Sequence, residues 1–364
     1  MSTFKLLKID DGIYKDCEVA GKSVDEFLED LYAKESGEES IYKGMTPLEI
    51  HQTKQAFKAK GETPPLTALE KQLAIRDINL KRDTVSKFFA VQEGSVLFPA
   101  YVANEVYAGL LQAGLVQEFA ARTIIVNFGV TVFQKIYLSD TEAERQLREI
   151  GQGVEFPVVK LDTNDEHVKV KKFGRYLQAS YEALANQKLD LFGLMLRRIG
   201  AQIAIDDTDD MINTLINGDG NSNTPGTTVE TATSGTIAVA DVIAWATGLP
   251  APYKLDKFVG KKALLQEYYT TLAGMNNPSD QFGFIGIQLP RSYEWDRAAY
   301  GSGVTDLFVG VDSRYAFAHI TTGGVMTEYE KLIRKQLQGA AISYRSGKAI
   351  LDNNAVALFD ETHA

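Results

Sequence analysis

The longest helical pattern in the chain lies between Leu177 and Gly220. Phe192, Met195, Leu196, Ile199 and Ile203 recur at i, i+3, i+4, i+7 and i+11, which makes one apolar stripe on a helix. Ile205, Ile212, Leu215 and Ile216 carry apolar spacing further, while Arg197, Arg198, Asp206, Asp207, Asp209 and Asp210 fill much of the remaining surface. No proline interrupts the run, and Asn217-Gly218-Asp219-Gly220 ends it. The pattern predicts one helix of roughly 40 residues, about 60 Å long at about 1.5 Å per residue. That outruns a compact domain and suits a structural spine better than an active-site helix.

On either side the pattern changes. Before residue 95 the apolar faces are thin and the breaks frequent. Ser23 is placed to cap a helix through Tyr32, and Thr46-Pro47-Leu48-Glu49 has the residues of a capping box with proline at the first helical position. A further helix is expected from Thr67 to about Leu80, and another over residues 102–119 with Val102, Val106, Leu110 and Leu111 on one side. These first 95 residues read as an arm that packs on something else. Thr123 to Leu138 is rich in Val, Ile, Phe and Thr and reads as one strand; Val154 to Leu161 and His167 to Tyr176 read as strands returning from it. A lone two-stranded ribbon is marginal in water, so this excursion should lie on a neighbour. Beyond the spine come helices at Val239 to Thr247 and Ala263 to Ala273, and strands from Phe258, at Phe284 to Gln288, Leu307 to Val311 and Ala316 to Thr321. A charged helical or extended stretch, Glu328 to Gln338, precedes strands at Ala340 to Arg345 and Ala355 to Phe359. The fold class is α+β.

Composition narrows the functions. The 364 residues are 45% hydrophobic, enough for a real core, and no apolar run approaches a membrane span. No apolar stretch follows Met1 to Lys5, so no secretory signal is expected. The net charge of −10 argues against tight nucleic-acid binding, which rests on many Lys and Arg contacts to phosphate. Residues 1–40, with 5 Lys against 11 Asp or Glu, carry −6 of it. A single cysteine, Cys17, excludes internal disulfides.

Candidate chemistry is sparse. Asp206 and Asp210 sit at i, i+4 and have the spacing to chelate a cation, but a helix face meeting basic groups of a neighbour, or plain solvent, explains them better. Asp219, Asn221, Asn223 and Glu230 match positions 1, 3, 5 and 12 of a calcium loop, yet Thr224 stands where that loop needs glycine, which leaves a helix-ending turn. His51, His167, His319 and His363 are scattered, with no zinc-hydrolase spacing, and no nucleophile elbow or phosphate loop is present. Neither a cofactor nor a metal is expected. A soluble α+β enzyme is the least favoured reading.

The order of arm, helix, extended loop, spine helix, glycine-rich turn, α+β lobe and returning strand resembles the major capsid protein of tailed bacteriophages, the Hong Kong 97-like capsid fold. The residues that carry the resemblance are Phe173-Gly174-Arg175-Tyr176-Leu177-Gln178-Ala179-Ser180, Leu215-Ile216-Asn217-Gly218-Asp219-Gly220, Ile342 to Ala349 and Ala355 to Phe359. The resemblance implies an N-terminal arm over 1–95, a P-domain helix over 96–122 and an extended E-loop over 123–176. It implies the P-domain spine and following loop over 177–231, an A domain over 232–340 and return strands over 341–364. It implies a shell of hexamers and pentamers around packaged double-stranded DNA, assembled in the host bacterial cytoplasm. The partners would be further copies of the chain, with scaffold, decoration and portal proteins as candidates. Encapsulin compartments share the fold and form the alternative. Candidate inter-subunit contacts are Phe156 and Pro157 in the loop, Arg175 at its base, and Arg197 and Arg198 on the spine. Some shells of this family are welded by a Lys–Asn bond, for which Lys160 with Asn353 or Asn354 are conceivable partners.

Overall fold

The computed structural model describes residues 4–9, 12–37, 40–90, 92–126, 132–134, 137–138, 161–162, 167–221, 223–273, 289–295, 307–322, 324–332, 334 and 337–361. The N-terminal part is helical: α1 (Ile13–Ala20), α2 (Val24–Ser36), α3 (Pro47–Ala59), α4 (Ala68–Ile75) and α5 (Ser86–Ala90). Ser23 caps α2 by accepting from the Glu26 N–H, and Thr46 and Thr67 close capping boxes with Glu49 and Glu70. The segment does not stand away from its own chain as an arm. Leu28, Tyr32, Leu73 and Phe88 share one core with Leu97, Phe98, Tyr101 and Val102 of α6 (Gln92–Ala113), which a short α7 (Val116–Phe119) follows. Each such buried side chain contributes about 1.5–3 kcal/mol. Buried Glu29 ties α2 to the start of α4 by accepting from the Ala68 N–H at 2.6 Å and from the Ser40 hydroxyl at 2.5 Å.

The spine is shorter than the sequence pattern predicts. Residues 171–180 are extended as β6 (Lys171–Ser180); a short α8 (Tyr181–Asn186) follows, and α9 (Leu189–Asn217) is the long helix, with 29 residues and a length of about 44 Å. The break at Gln187 and Lys188 is held by the chain just before α5: the Val85 N–H donates to the Gln187 carbonyl and the Leu189 N–H to the Asp83 carbonyl, both at 2.9 Å. The helix stops where Gly218 takes a φ of 84°.

β13 (Leu337–Ile350) organises one sheet. Its first ten residues pair antiparallel with β6, its first seven also with β12 (Met326–Leu332), and its last five with β11 (Phe317–Thr321). β1 (Arg122–Ile125) joins β11 in parallel. Thus Glu328 to Leu332 and Leu337 to Gln338 are extended, with Arg334 between them in a 3-10 turn, and Ala340 to Arg345 is the middle of a longer strand that runs through Gly347. Beyond β1, β2 (Val132–Gln134) pairs with β5 (His167–Lys169), and β3 (Tyr137–Leu138) with β4 (Leu161–Asp162). The single strand expected over 123–138 is therefore divided among β1, β2 and β3. The strand expected over Phe284 to Gln288 lies outside the described residues.

A second sheet runs β7 (Thr227–Glu230), β14 (Val356–Asp360), β10 (Leu307–Val311), β8 (Lys257–Gly260), β9 (Arg291–Glu294). The period of two along β10 explains its double burial. Phe308 points to Trp245 of α10 (Val239–Thr247) and to Tyr268 of α11 (Lys262–Ala273), while Val309 and Val311 point to Met211, Ile212 and Leu215 at the end of α9. The spine helix therefore links two cores, one shared with the N-terminal helices and one with this sheet.

Candidate functional site

Two features of the spine helix decide what it can do. The first is its approach to α6. An added Cβ at Gly200 would lie 1.8 Å from the Val106 carbonyl oxygen, and one at Gly109 would lie 2.0 Å from that of Arg197. Two glycines thus let the backbones touch. The inner face of α9 comprises Leu189, Gly193, Leu196, Gly200, Ile203, Ala204, Asp207 and Met211. The outer face carries Leu191, Leu194 and Met195, which are 56%, 63% and 56% exposed, followed one turn later by exposed Arg198. Apolar side chains at i, i+3 and i+4 on an exposed face mark an interaction surface.

The second feature is an ionic joint. Lys348 on β13 is buried, with its Nζ 2.5 Å from Asp207 Oδ1 and 2.8 Å from Asp210 Oδ2. Lys171 of β6 also contacts Asp210. Burial pushes the Asp210 carboxyl up, but Lys348 and Lys171 outweigh it and hold it below the usual range. The spine carboxylates are thus divided. Asp207 and Asp210 meet basic groups of their own chain, Asp206 accepts from Gln202 at 2.9 Å, and Asp209 accepts from the Trp295 indole at 2.7 Å. No group of three His, Cys, Asp or Glu fit to hold a metal occurs among the described residues. The calcium-like loop is likewise engaged internally: Asp219 accepts from the Ile350 N–H at 2.9 Å and from Asn221 at 2.8 Å, and Glu230 lies in β7.

His319 is buried in the same joint, with Nε2 3.1 Å from the Ser346 hydroxyl, 3.3 Å from the Tyr344 hydroxyl and 3.8 Å from Asp207. Burial, aided by Lys348 and opposed by Asp207, pushes its pKa down to about 4 from 6.5. Between those values the unfolded chain binds the extra proton, so stability should fall as pH drops from 6.5 towards 4. The urea midpoint should therefore decline over that window, and less so in His319→Gln; equal slopes would refute the assignment.

Of the contacts nominated from sequence, Phe156 and Pro157 lie outside the described residues, as does Lys160. Arg175 is exposed on β6, at the base of the hairpin. Arg197 is already engaged within its own chain, its Nε 2.6 Å from Glu105 of α6. Arg198 is exposed. Asn353 and Asn354 form a 3-10 turn before β14, with Asp352 accepting from the Asn354 N–H. Sequence reasoning missed the outward Leu191, Leu194 and Met195 surface, although these residues were legible as a second apolar spacing.

Residues 163–284 match the model of a family described as phage capsid protein. No curated protein matches the chain in sequence. Among solved structures, the chain is similar to the capsid of an empty GTA particle, with 14% identity, a TM-score of 0.49, and coverage of 69% of this chain and 90% of that one. It is also similar to the capsid of Myoviridae phage XM1, with 15% identity, a TM-score of 0.43, and coverage of 68% and 92%. A third is the holo-SrpI encapsulin complex of Synechococcus elongatus PCC 7942, with 13% identity, a TM-score of 0.46, and coverage of 68% and 86%. At these identities the likenesses are distant.

Proposed function

We propose that this protein is a major capsid protein that self-assembles, as hexamers and pentamers, into the head shell of a tailed double-stranded DNA bacteriophage. It is a structural protein and not an enzyme. The observation that carries the reading is the hairpin within the phage-capsid context. β2 with β5, and β3 with β4, form two-stranded ladders that pair with no other described strand. Val168 and Val170 seat the base on Ala318, Ile320 and Ala349. Beyond that base a two-stranded ribbon is marginal alone and gains its stability from a neighbouring copy. Head-to-tail contacts of this kind close into rings. The net charge of −10 suits a shell that encloses DNA without gripping it. The family match favours a phage head over a cellular cargo compartment.

The outer spine face, Leu191, Leu194, Met195 and Arg198, is the second assembly surface, with Arg175 at the hairpin base. Leu194→Asp should leave the subunit folded, since Leu194 is exposed, and should cut particle yield at least about tenfold, the effect of losing roughly 1.4 kcal/mol per contact. Sedimentation of lysate particles checks it; wild-type yield would remove this face from the interface. Replacing residues 139–160 by a short Gly-Ser turn tests the hairpin. A folded subunit that no longer forms particles supports the reading, and normal particles would refute it.

A further inference from the structure

A cavity of about 700 Å³ lies between the N-terminal helices, α6 and β12. Its walls include Tyr14, Phe89, Val96, Ala103, Tyr107 and Met326. A volume of this size with mostly apolar walls and a few polar groups is the usual form of a small-molecule site. Asp25, in the first turn of α2, lines both this cavity and a smaller one of about 420 Å³ beside it. Asp25 is partly buried, and it is a wall residue of both cavities.

The charges around Asp25 do not answer it. One of its oxygens accepts from the Asn104 amide at 3.2 Å, and its other oxygen has no hydrogen-bond partner among the described residues. Lys54 faces it from α3 but holds both Glu70 oxygens at 3.0 Å. Lys22, in the cavity wall, is held by Asp30 at 2.5 Å. Glu29 and Glu70 add repulsion, and burial, followed by Glu29, raises the Asp25 carboxyl to about 7. Glu29 and Glu70 are themselves satisfied by backbone and side-chain donors, whereas Asp25 makes no ion pair among the described residues and feels Lys54 only at longer range.

We propose that this cavity binds a small organic cation, an ammonium or amidinium carried on an apolar skeleton, with Asp25 as its counter-ion and Tyr14, Phe89 and Tyr107 among its walls. A charge-assisted hydrogen bond to the free oxygen would relieve the cost of the partly buried carboxylate. Aromatic walls attract a cation through their faces and also accept the skeleton. A metal ion fits worse, because no group of three His, Cys, Asp or Glu fit to hold one occurs among the described residues. The site is independent of the assembly reading, since every residue in it belongs to one subunit.

The test is calorimetric titration of the full chain with phenethylamine and, as its neutral counterpart, 2-phenylethanol. The amine should bind at least about tenfold more tightly than the alcohol. Asp25→Asn should remove that difference while leaving alcohol binding unchanged, and Ala103→Trp, which puts an indole into the cavity, should weaken both. Equal binding of the two probes, no amine binding at millimolar concentration, an unchanged amine affinity in Asp25→Asn or an unchanged affinity for both probes in Ala103→Trp would each overturn the proposal.

Discussion

Lys348→Met should destabilise the subunit by about 3–5 kcal/mol, the usual cost of leaving a buried charge without its partner. Nζ of Lys348 is shared between Asp207 and Asp210. Asp210 would keep Lys171. Asp207, 5% exposed in its side chain, would face His319 at 3.8 Å and nothing else positive among its described contacts. Two consequences separate this from a simple packing defect. The His319 pKa, held at about 4 by burial and by Lys348, should rise once the lysine is gone and an unpaired carboxylate stands beside it. The variant should therefore lose less stability on acidification than the wild type does. Second, Asp207→Leu in the same chain should restore most of the loss, because apolar replacement of a buried ion pair is often neutral. Chemical denaturation of the soluble subunit at pH 7 and pH 5 reads both. A loss below about 1 kcal/mol, the scale of an exposed pair, would contradict the joint.

Gly200→Ala should be nearly as damaging. The clash falls at the Cβ itself, 1.8 Å from a backbone oxygen of Val106 and 2.9 Å from the Leu110 nitrogen, so no rotamer relieves it. α6 and α9 would have to separate along a seam that also holds Leu196, Ile203 and Ala204. Overpacking costs about 1–3 kcal/mol where side chains can yield, and backbone contact puts this case at about 3 or above. Gly109→Ala should behave alike. Gly114, just past the end of α6, is the internal control. Its added Cβ would meet Ala204 at an ordinary 3.5 Å, and its substitution should fall within about 1 kcal/mol of wild type. Equal midpoints for the Gly200 and Gly114 variants would show that the helices do not touch there.

Those two sites also explain what the sequence could and could not disclose. Helix starts in the N-terminal part were legible where a local hydrogen bond makes them: Ser23, Thr46 and Thr67 cap as their side chains dictate, whereas the Ser180 cap was read as helix interior. β10 was legible because its residues are strongly apolar. The inner face of the spine was not, since Gly193, Gly200 and Asp207 sit inside while Leu191, Leu194 and Met195 sit outside. Hydrophobicity assigns those positions the opposite way; close backbone approach and the Lys348 pair, 141 residues away, decide them. The extended state of Leu177 and Ala179 was hidden for the same reason, because a ten-residue ladder with β13 overrides local preference. α1 was missed because its burial depends on the shared core around α6. The N-terminal helices read as an arm because their apolar faces are thin until that core is added.

The carboxylates gave a mixed lesson. The basic groups that meet Asp210 come from the same chain, through β6 and β13, rather than from a neighbour. Arg197 is similarly tied to Glu105, so charge reversal there would disturb the α6–α9 seam as well as any surface contact. Arg198 and the three apolar residues before it are the cleaner probes of assembly.

Electron microscopy of the purified full-length protein tests the assembly claim most directly. Closed shells built from rings of five and six copies are the predicted result. A uniform population of single 40.1 kDa subunits, under conditions where the hairpin strands remain paired, would contradict it.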